Sequence, residues 1–239
     1  MNIKNNKTHR VKGPSLSEEI WVLDFTQESA QEFRDRLIEE SQENPNKPII
    51  VYIDSYGGSV DALAKMIATI DEISNPIITA CMGKTMSCGA ILLSHGDVRF
   101  CDPHSRVMVH KVSASTSGDS EDITNDATEI ARLNHYWLSF LADNCNVKGG
   151  YNELETQLKS RDGRDRYMTA KDAVAFGIVD IVGYPKINGV AMYEVISAPE
   201  KISLKQRAKL RLEYAKPKSK PKVKEVKNVR KSRKKLPTK

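Results

Sequence analysis

One serine stands where an activated nucleophile is often found. Ser87 follows Gly83–Thr85, which predicts a turn, and lies near the start of Met86–Ser94, which predicts a short buried helix. Free backbone N–H groups at a helix start favour developing negative charge. The pattern differs from the Gly-x-Ser-x-Gly elbow of the α/β-hydrolases, because Thr85 and Met86 precede the serine. Taken alone, the segment also fits a serine that caps a helix.

One histidine is well placed to serve such a nucleophile. His110 closes the apolar strand predicted for Val107–Val109, and an imidazole at a strand end can take the proton of a serine. A structural or surface role is the alternative for this histidine. Lys84, three residues before Ser87, is the alternative base of a Ser–Lys dyad. The other histidines lie in the N-terminal segment, in loops or on an exposed helix side: His9, His95, His104 and His135.

Two further features can complete a hydrolytic site. The pair Gly57-Gly58 follows a predicted strand, and glycines let a backbone N–H group approach a ligand closely, as an oxyanion hole requires. An ordinary strand-to-helix turn is the alternative. Asp165 could orient His110, although an aspartate between Arg164 and Arg166 also fits a solvated ion pair.

The elements that would position these residues alternate between strand and helix. Apolar runs predict strands, and apolar residues at helical spacing predict helices between them, which indicates an α/β fold with a mainly parallel sheet. The predicted strands are Ile20–Phe25, Ile49–Ile53, Ile77–Met82, Val98–Cys101, Val107–His110 and Ile178–Val182. The predicted helices are Thr26–Glu43, a helix capped by Ser59, Met86–Ser94, Asp119–Asn144 and a helix from Thr169 to Phe176.

Charge divides the chain into parts. The net charge is +6, but residues 216–239 carry twelve Lys or Arg and one acid, so residues 1–215 are net acidic. We expect a flexible segment at 1–18, a globular domain at 19–185, an extension at 186–215 and a disordered basic tail at 216–239. The tail could remain solvated, or it could tether the protein to an acidic partner or to the phosphates of a nucleic acid.

The remaining composition indicates a cytoplasmic protein without a metal. The cysteines (Cys81, Cys88, Cys101 and Cys145) match no zinc motif and no disulfide framework, so we expect small buried side chains in a reducing compartment. No apolar run approaches the roughly 20 residues of a membrane span, and no secretory signal is recognisable.

Taken in order, these segments resemble the Clp protease proteolytic subunit family, ClpP. Ser55–Ser59 stands where that family has a Ser-Pro-Gly-Gly-Ser turn, and Met86–Ala90 is similar to its Ala-Ser-Met-Gly-Ala nucleophile segment. Arg99–His110 resembles the family's stretch up to its histidine. Arg164–Ala170 is similar to its Arg-Asp-Arg-Phe-Leu-Ser-Ala segment, and Gly177–Asp180 to the Gly-Leu-Val-Asp that follows.

The resemblance implies a ClpP/crotonase-like fold of repeated β-β-α units with a mainly parallel sheet. It also implies that Asp119–Asn144 is a protruding handle helix. The implied activity is that of a serine endopeptidase, with Ser87 as nucleophile, His110 as base and Asp165 as its orienting group. The backbone N–H groups of Gly58 and Cys88 would bind the oxyanion. No metal or cofactor is implied in the subunit. Subunits of this kind form heptameric rings, single or stacked into a tetradecamer, and an AAA+ unfoldase that uses ATP feeds them protein substrates.

The sequence also departs from the family pattern. Tyr56 replaces the turn proline, Val112 stands two positions after His110 where a proline is usual, and Gly163 replaces an acidic residue. The glycines of the substrate-binding loop are mostly lost, and few residues precede the first strand. The alternatives are a phage head-maturation protease on the same fold, a catalytically silent scaffold subunit and a crotonase-type acyl-CoA enzyme.

Overall fold

The computed structural model describes residues 19–45, 47–159 and 165–185. Within them lie seven strands: β1 (Ile20–Val22), β2 (Ile49–Ser55), β3 (Ile77–Met86), β4 (Val98–Cys101), β5 (Arg106–Val109), β6 (Arg166–Thr169) and β7 (Ile181–Val182). The same residues form six helices: α1 (Gln27–Glu43), α2 (Val60–Glu72), α3 (Cys88–Ser94), α4 (Ser120–Asn144), α5 (Gly150–Lys159) and α6 (Ala170–Phe176). The predictions for 1–18, 186–215 and 216–239, and those for Gly163 and Arg164, lie outside the described residues.

All seven strands belong to one sheet, which is parallel except for one pair. The strands β1, β2, β3, β4 and β7 lie side by side in that order, and their pairings are parallel. Strand β3 pairs with β4 through Ile78–Cys81 and with β5 through Lys84–Met86, also in parallel. Strand β6 pairs antiparallel with β5. The expected α/β architecture with a mainly parallel sheet is therefore confirmed.

Local capping chemistry sets where α1, α2 and α6 begin, as it does for α4, and where α6 ends. Thr26, Ser59 and Thr169 each accept hydrogen bonds from the first-turn N–H groups of α1, α2 and α6, as their side chains predicted. Gly177 ends α6 with a left-handed φ of 92°, a conformation that glycine adopts without a Cβ penalty. These helix boundaries could be predicted because each depends on a few neighbouring residues.

Apolar side chains cover both faces of the sheet, which explains the nearly continuous apolar runs of the strands. Along β2, Ile49, Val51 and Ile53 contribute to the larger core cluster, which includes residues of the helices. Ile50, which lies between Ile49 and Val51 and points to the other face, belongs to a second cluster with residues of β3 and β4: Ile78, Ala80, Val98 and Phe100. Side chains alternate between faces along a strand, so the two clusters lie on opposite sides of the sheet.

Helix α4 is buried only near its C-terminal end. Asp119 caps its N-terminus, and every residue from 120 to 129 is exposed. Trp137, Leu138, Leu141 and Ala142 are buried against the core. The helix therefore protrudes from the domain, as expected for the handle. None of the helices within the described ranges combines the length and apolar character needed to cross a membrane.

Several predicted ends of strands were wrong, because pairing between strands that are distant in the chain overrides the local sequence pattern. The predicted turn at Gly83–Thr85 is the continuation of β3, and its Lys84 and Thr85 pair with β5. The first and last predicted strands are shorter than expected, and both α5 and β6 were missed. Four-residue β6 carries no periodic signal of its own and forms because β5 offers an unpaired edge.

A buried ion pair joins β4 to the segment before β7. Arg99 donates to both carboxylate oxygens of Asp180, with N···O distances of 3.0 and 2.7 Å, and both side chains are 2% exposed. The same guanidinium donates to the carbonyl oxygens of Ser94 and Asn144, the last residues of α3 and α4. One side chain thereby connects β4, the ends of α3 and α4, and the segment before β7.

We expect Arg99→Met to lower the free energy of unfolding by about 3–5 kcal/mol, because Asp180 would remain buried without its cation. Arg132→Met is the matched control, since its pair with Glu129 is exposed and lies within one helix. Urea unfolding at equal protein concentration measures both variants. Equal stability of the two would contradict a structural role for the buried pair.

Candidate active site

The register of three paired strands brings the predicted site residues together. Met86 of β3 is paired with Met108 of β5, and Val109 of β5 is paired with Arg166 of β6. Ser87 directly follows β3, His110 directly follows β5, and Asp165 directly precedes β6. Neighbouring strands hold their ends side by side. The three side chains therefore meet beyond the C-terminal ends of β3 and β5, although 78 positions separate the first from the last.

Ser87 has a backbone conformation that most residues avoid. Its φ is 55° and its ψ is −121°, and such a conformation costs on the order of 1–3 kcal/mol for a residue with a side chain. The Ser87 N–H donates to the carbonyl of Met108 at 2.9 Å, which ties the bend to β5. The Ser87 side chain makes no capping hydrogen bond to α3, so the interpretation as a simple capping serine is not supported.

The Ser87 hydroxyl instead faces an imidazole. Ser87 Oγ lies 2.7 Å from His110 Nε2, so the hydroxyl can donate to this nitrogen when the ring proton is on Nδ1. His110 Nδ1 lies 3.8 Å from Asp165 Oδ1, which is an ion-pair distance and too long for a hydrogen bond. The Asp165 carboxylate also accepts from the hydroxyl of Tyr167 at 3.3 Å. Contacts of this kind are often longer without substrate than in the reacting complex.

The glycine turn approaches Ser87 so closely that a side chain would not fit. A Cβ on Gly57 would lie 2.7 Å from Ser87 Cβ and 3.2 Å from the backbone nitrogen of Cys88. A Cβ on Gly58 would lie 2.6 Å from the carbonyl oxygen of Phe25, to which the Ser59 N–H donates at 2.8 Å. The sequence indicated Gly58 as an oxyanion residue, but the close contact with Ser87 is made by Gly57.

A mainly apolar cleft of about 280 Å³ adjoins Ser87 and His110. The middle of α4 forms one wall, and the segment after His110, the start of α3 and residues 58–60 form the rest. The lining side chains beyond the reacting pair include Ile91, Val112, Leu133, Asn134, Trp137 and Leu138. A cleft of this size and character can hold an apolar side chain of a peptide next to the serine.

Lys84 is poorly suited to act as the base of Ser87. Its ammonium lies 2.7 Å from Asp54 Oδ1 and 4.6 Å from the centre of the Tyr56 ring. The hydrogen bond to Asp54 raises the pKa of Lys84 above its usual value, so the amine remains protonated. A general base must be deprotonated at the working pH, and the Ser–Lys alternative is therefore disfavoured.

Cys88 does not offer a competing nucleophile. Its thiol is buried and donates to the carbonyl of Gly58 at 3.2 Å, and burial raises the pKa of this thiol. All four cysteines are buried, as the sequence predicted, and none of them forms a disulfide. Over residues 19–45, 47–159 and 165–185, no three His, Cys, Asp or Glu side chains cluster in a way that could hold a metal ion.

The model of the Clp protease family matches residues 16–186, which is well over half of the 239 residues. The matched region contains Ser87, His110, Asp165 and the Gly57-Gly58 turn. Residues 187–239, which include the basic tail, lie outside the match.

Gly57→Ala should slow the reaction of Ser87 with a fluorophosphonate probe by about 10- to 100-fold, because the new Cβ would displace Ser87. Gly150→Ala is the matched control: Gly150 also has a positive φ, but no atom lies within 4 Å of the added Cβ. Both variants bear the backbone cost of a positive φ, so the main difference between them is the contact of the added Cβ with Ser87 and its chain neighbours. Equal labelling of the two would show that the glycine turn does not constrain the serine.

Proposed function

The chain belongs to the Clp protease family of serine peptidases, and on that premise we propose that it is an endopeptidase with Ser87 as nucleophile, His110 as general base and Asp165 as the orienting carboxylate. The observation that carries the proposal is the 2.7 Å contact between Ser87 Oγ and His110 Nε2. It is made by a serine whose strained backbone turns its hydroxyl away from the helix that follows.

In the first half of the reaction, the Ser87 oxygen attacks the peptide carbonyl while its proton passes to His110 Nε2. The carbonyl oxygen becomes an oxyanion, for which the backbone N–H groups of Gly58 and Cys88 are the proposed donors. Gly58 and Cys88 both line the cleft beside Ser87, which supports this assignment. The imidazolium then donates its proton to the departing amine, which leaves an ester on Ser87.

In the second half, water replaces the departed amine. His110 takes a proton from this water as the water oxygen attacks the ester, and the tetrahedral intermediate expels Ser87 Oγ, which recovers the proton. Asp165 favours the ring tautomer with the proton on Nδ1 and stabilises the imidazolium that forms in both halves. No metal or cofactor enters either half of this mechanism.

We further propose that the peptidase acts as a cytoplasmic oligomeric chamber, a heptameric ring alone or stacked in pairs. The exposed first ten residues of α4 support assembly, because a helix segment that is exposed to solvent on all sides gains little stability from its own sequence. An AAA+ unfoldase would use ATP and deliver unfolded protein. Particle masses of seven or fourteen chains are the expected result of mass photometry.

Treatment with a fluorophosphonate should add one adduct to the wild-type chain and none to Ser87→Ala, as read by intact mass. Ser113→Ala is the matched control, because Ser113 lies in the same cleft and has no proposed role in the chemistry. A folded, assembled wild-type protein that takes up no probe would instead favour the silent scaffold subunit.

Asp165→Asn should lower kcat for peptide hydrolysis by about 100-fold or more, with little change in KM, because the amide cannot stabilise the imidazolium. Asp172→Asn is the control: Asp172 belongs to the capping box of α6, so its loss affects that helix and not the imidazole. A small effect of Asp165→Asn on kcat would assign the orienting role to another group.

A further inference from the structure

The segment that carries His110 is weakly held by the sheet. The β5 ladder ends at Val109, and residues 110–117 form no regular secondary structure. His110 is therefore the first residue beyond the hydrogen-bonded strand. A reacting imidazole needs a fixed position, because displacement by about 1 Å can lower a rate as much as 100-fold. The Val112 side chain packs against the core, but apolar packing does not fix the direction of a backbone, so the segment also needs a hydrogen-bonded anchor outside the sheet.

Asn134 of α4 provides such an anchor two residues after the histidine. Asn134 Oδ1 accepts from the Val112 N–H at 2.7 Å, and Asn134 Nδ2 lies 3.4 Å from the Val112 carbonyl oxygen, to which it donates weakly. A side-chain amide has the same donor and acceptor as a peptide group. Asn134 thus pairs with Val112 as a neighbouring strand would, and it satisfies an N–H group that a proline at this position would lack.

The anchor itself is attached to a rigid part of the molecule. Asn134 lies one turn before Trp137 and Leu138, which are 4% and 3% exposed. Side chains in a packed core seldom change position, so this part of α4 gives Asn134 a fixed base. A second contact of this segment is the ion pair between Lys111 and Glu155, at 3.6 Å. It is partly exposed and longer than the Asn134 hydrogen bond, so we expect it to hold the segment less firmly.

The surroundings of Asn134 show that packing alone does not explain why a polar side chain stands at this position. Its nearest neighbours on the α4 wall of the cleft are Ile130, Leu133 and Trp137. A leucine at position 134 would continue this apolar wall but would leave the part-buried N–H of Val112 without its partner. The polar side chain is therefore tied to the backbone of the segment that carries His110.

We propose that Asn134 is a positioning residue: by holding Val112 it keeps the His110 imidazole within hydrogen-bond distance of Ser87 Oγ. The inference rests on the proposed function, since it takes Ser87 and His110 as the reacting pair. Asn134 touches neither of them and acts only through the backbone between Val112 and His110. This contact also links α4 to the reacting centre, because Asn134 belongs to α4 and Val112 to the segment that carries His110.

The test compares the labelling rate of Ser87 in three variants of the full chain. Asn134→Leu removes both hydrogen bonds, and we expect labelling by a fluorophosphonate to slow about 10- to 100-fold. Asn134→Asp keeps the acceptor for the Val112 N–H and should restore most of the rate. Asn144→Leu is the matched control, because Asn144 lies on the same helix but donates to Ser94, away from the cleft. Thermal melting of each variant measures stability separately.

A rate loss in Asn134→Leu that exceeds that of Asn144→Leu at a similar melting temperature, with recovery in Asn134→Asp, would support the inference. If the wild-type protein is labelled and Asn134→Leu is labelled at the same rate, the positioning role is overturned and the proposed function is left intact. Equal rates for Asn134→Asp and Asn134→Leu would also overturn the positioning role. An unlabelled wild-type protein would refute the proposed function itself. If Asn134→Leu does not melt cooperatively, Asn134→Ser, which is too short to reach Val112, replaces it.

Discussion

The pairing of β3 with β5 is the constraint on which the site depends. Strand β3 runs beside β4 at its start and beside β5 at its end, so that it leaves one neighbour and joins another along its length. The change occurs around Gly83, whose N–H donates to Ser105 at 2.6 Å and whose φ of 96° suits glycine. Without this second pairing, Ser87 and His110 would end on strands that do not touch.

The strain at Ser87 is supported by contacts on every side of the bend. Its N–H bonds to Met108 on β5, its carbonyl accepts from Ala90 and Ile91 in α3, and Gly57 packs against its Cβ. A residue in a sparsely populated conformation persists only when its surroundings over-determine it. The hydroxyl is therefore presented to His110 by the whole junction of β3, β5 and α3.

Helix α4 connects the core, the cleft and the exposed surface. Its first ten residues are exposed to solvent, and its middle carries Asn134 beside the His110 segment. Its C-terminal part packs against the core through Trp137 and Leu138. The buried pair of Arg99 and Asp180 holds this C-terminal end, because Arg99 also bonds to the last carbonyl of α4.

The local sequence was sufficient to predict features that depend on few neighbours. The caps at Thr26, Ser59 and Thr169, the end of α6 at Gly177 and the apolar runs of the central strands follow from side-chain chemistry and periodicity. The helical spacing of apolar residues in 119–144 predicted α4 itself, whereas its protrusion was implied only by the family resemblance. The order of the motifs was also sufficient to suggest the family.

Only the tertiary structure decided how these pieces meet. The extension of β3 beyond Met82 and the existence of β6 depend on an edge that β5 provides, and pairing between distant strands leaves no signal in local periodicity. The same holds for the contact of Gly57 with Ser87 and for the bonds of Asn134 to Val112, which join residues far apart in the chain. The sequence determined which side chains are available for chemistry. The register of three short strands decided that Ser87, His110 and Asp165 lie together, because that register is set by the packing of the whole sheet.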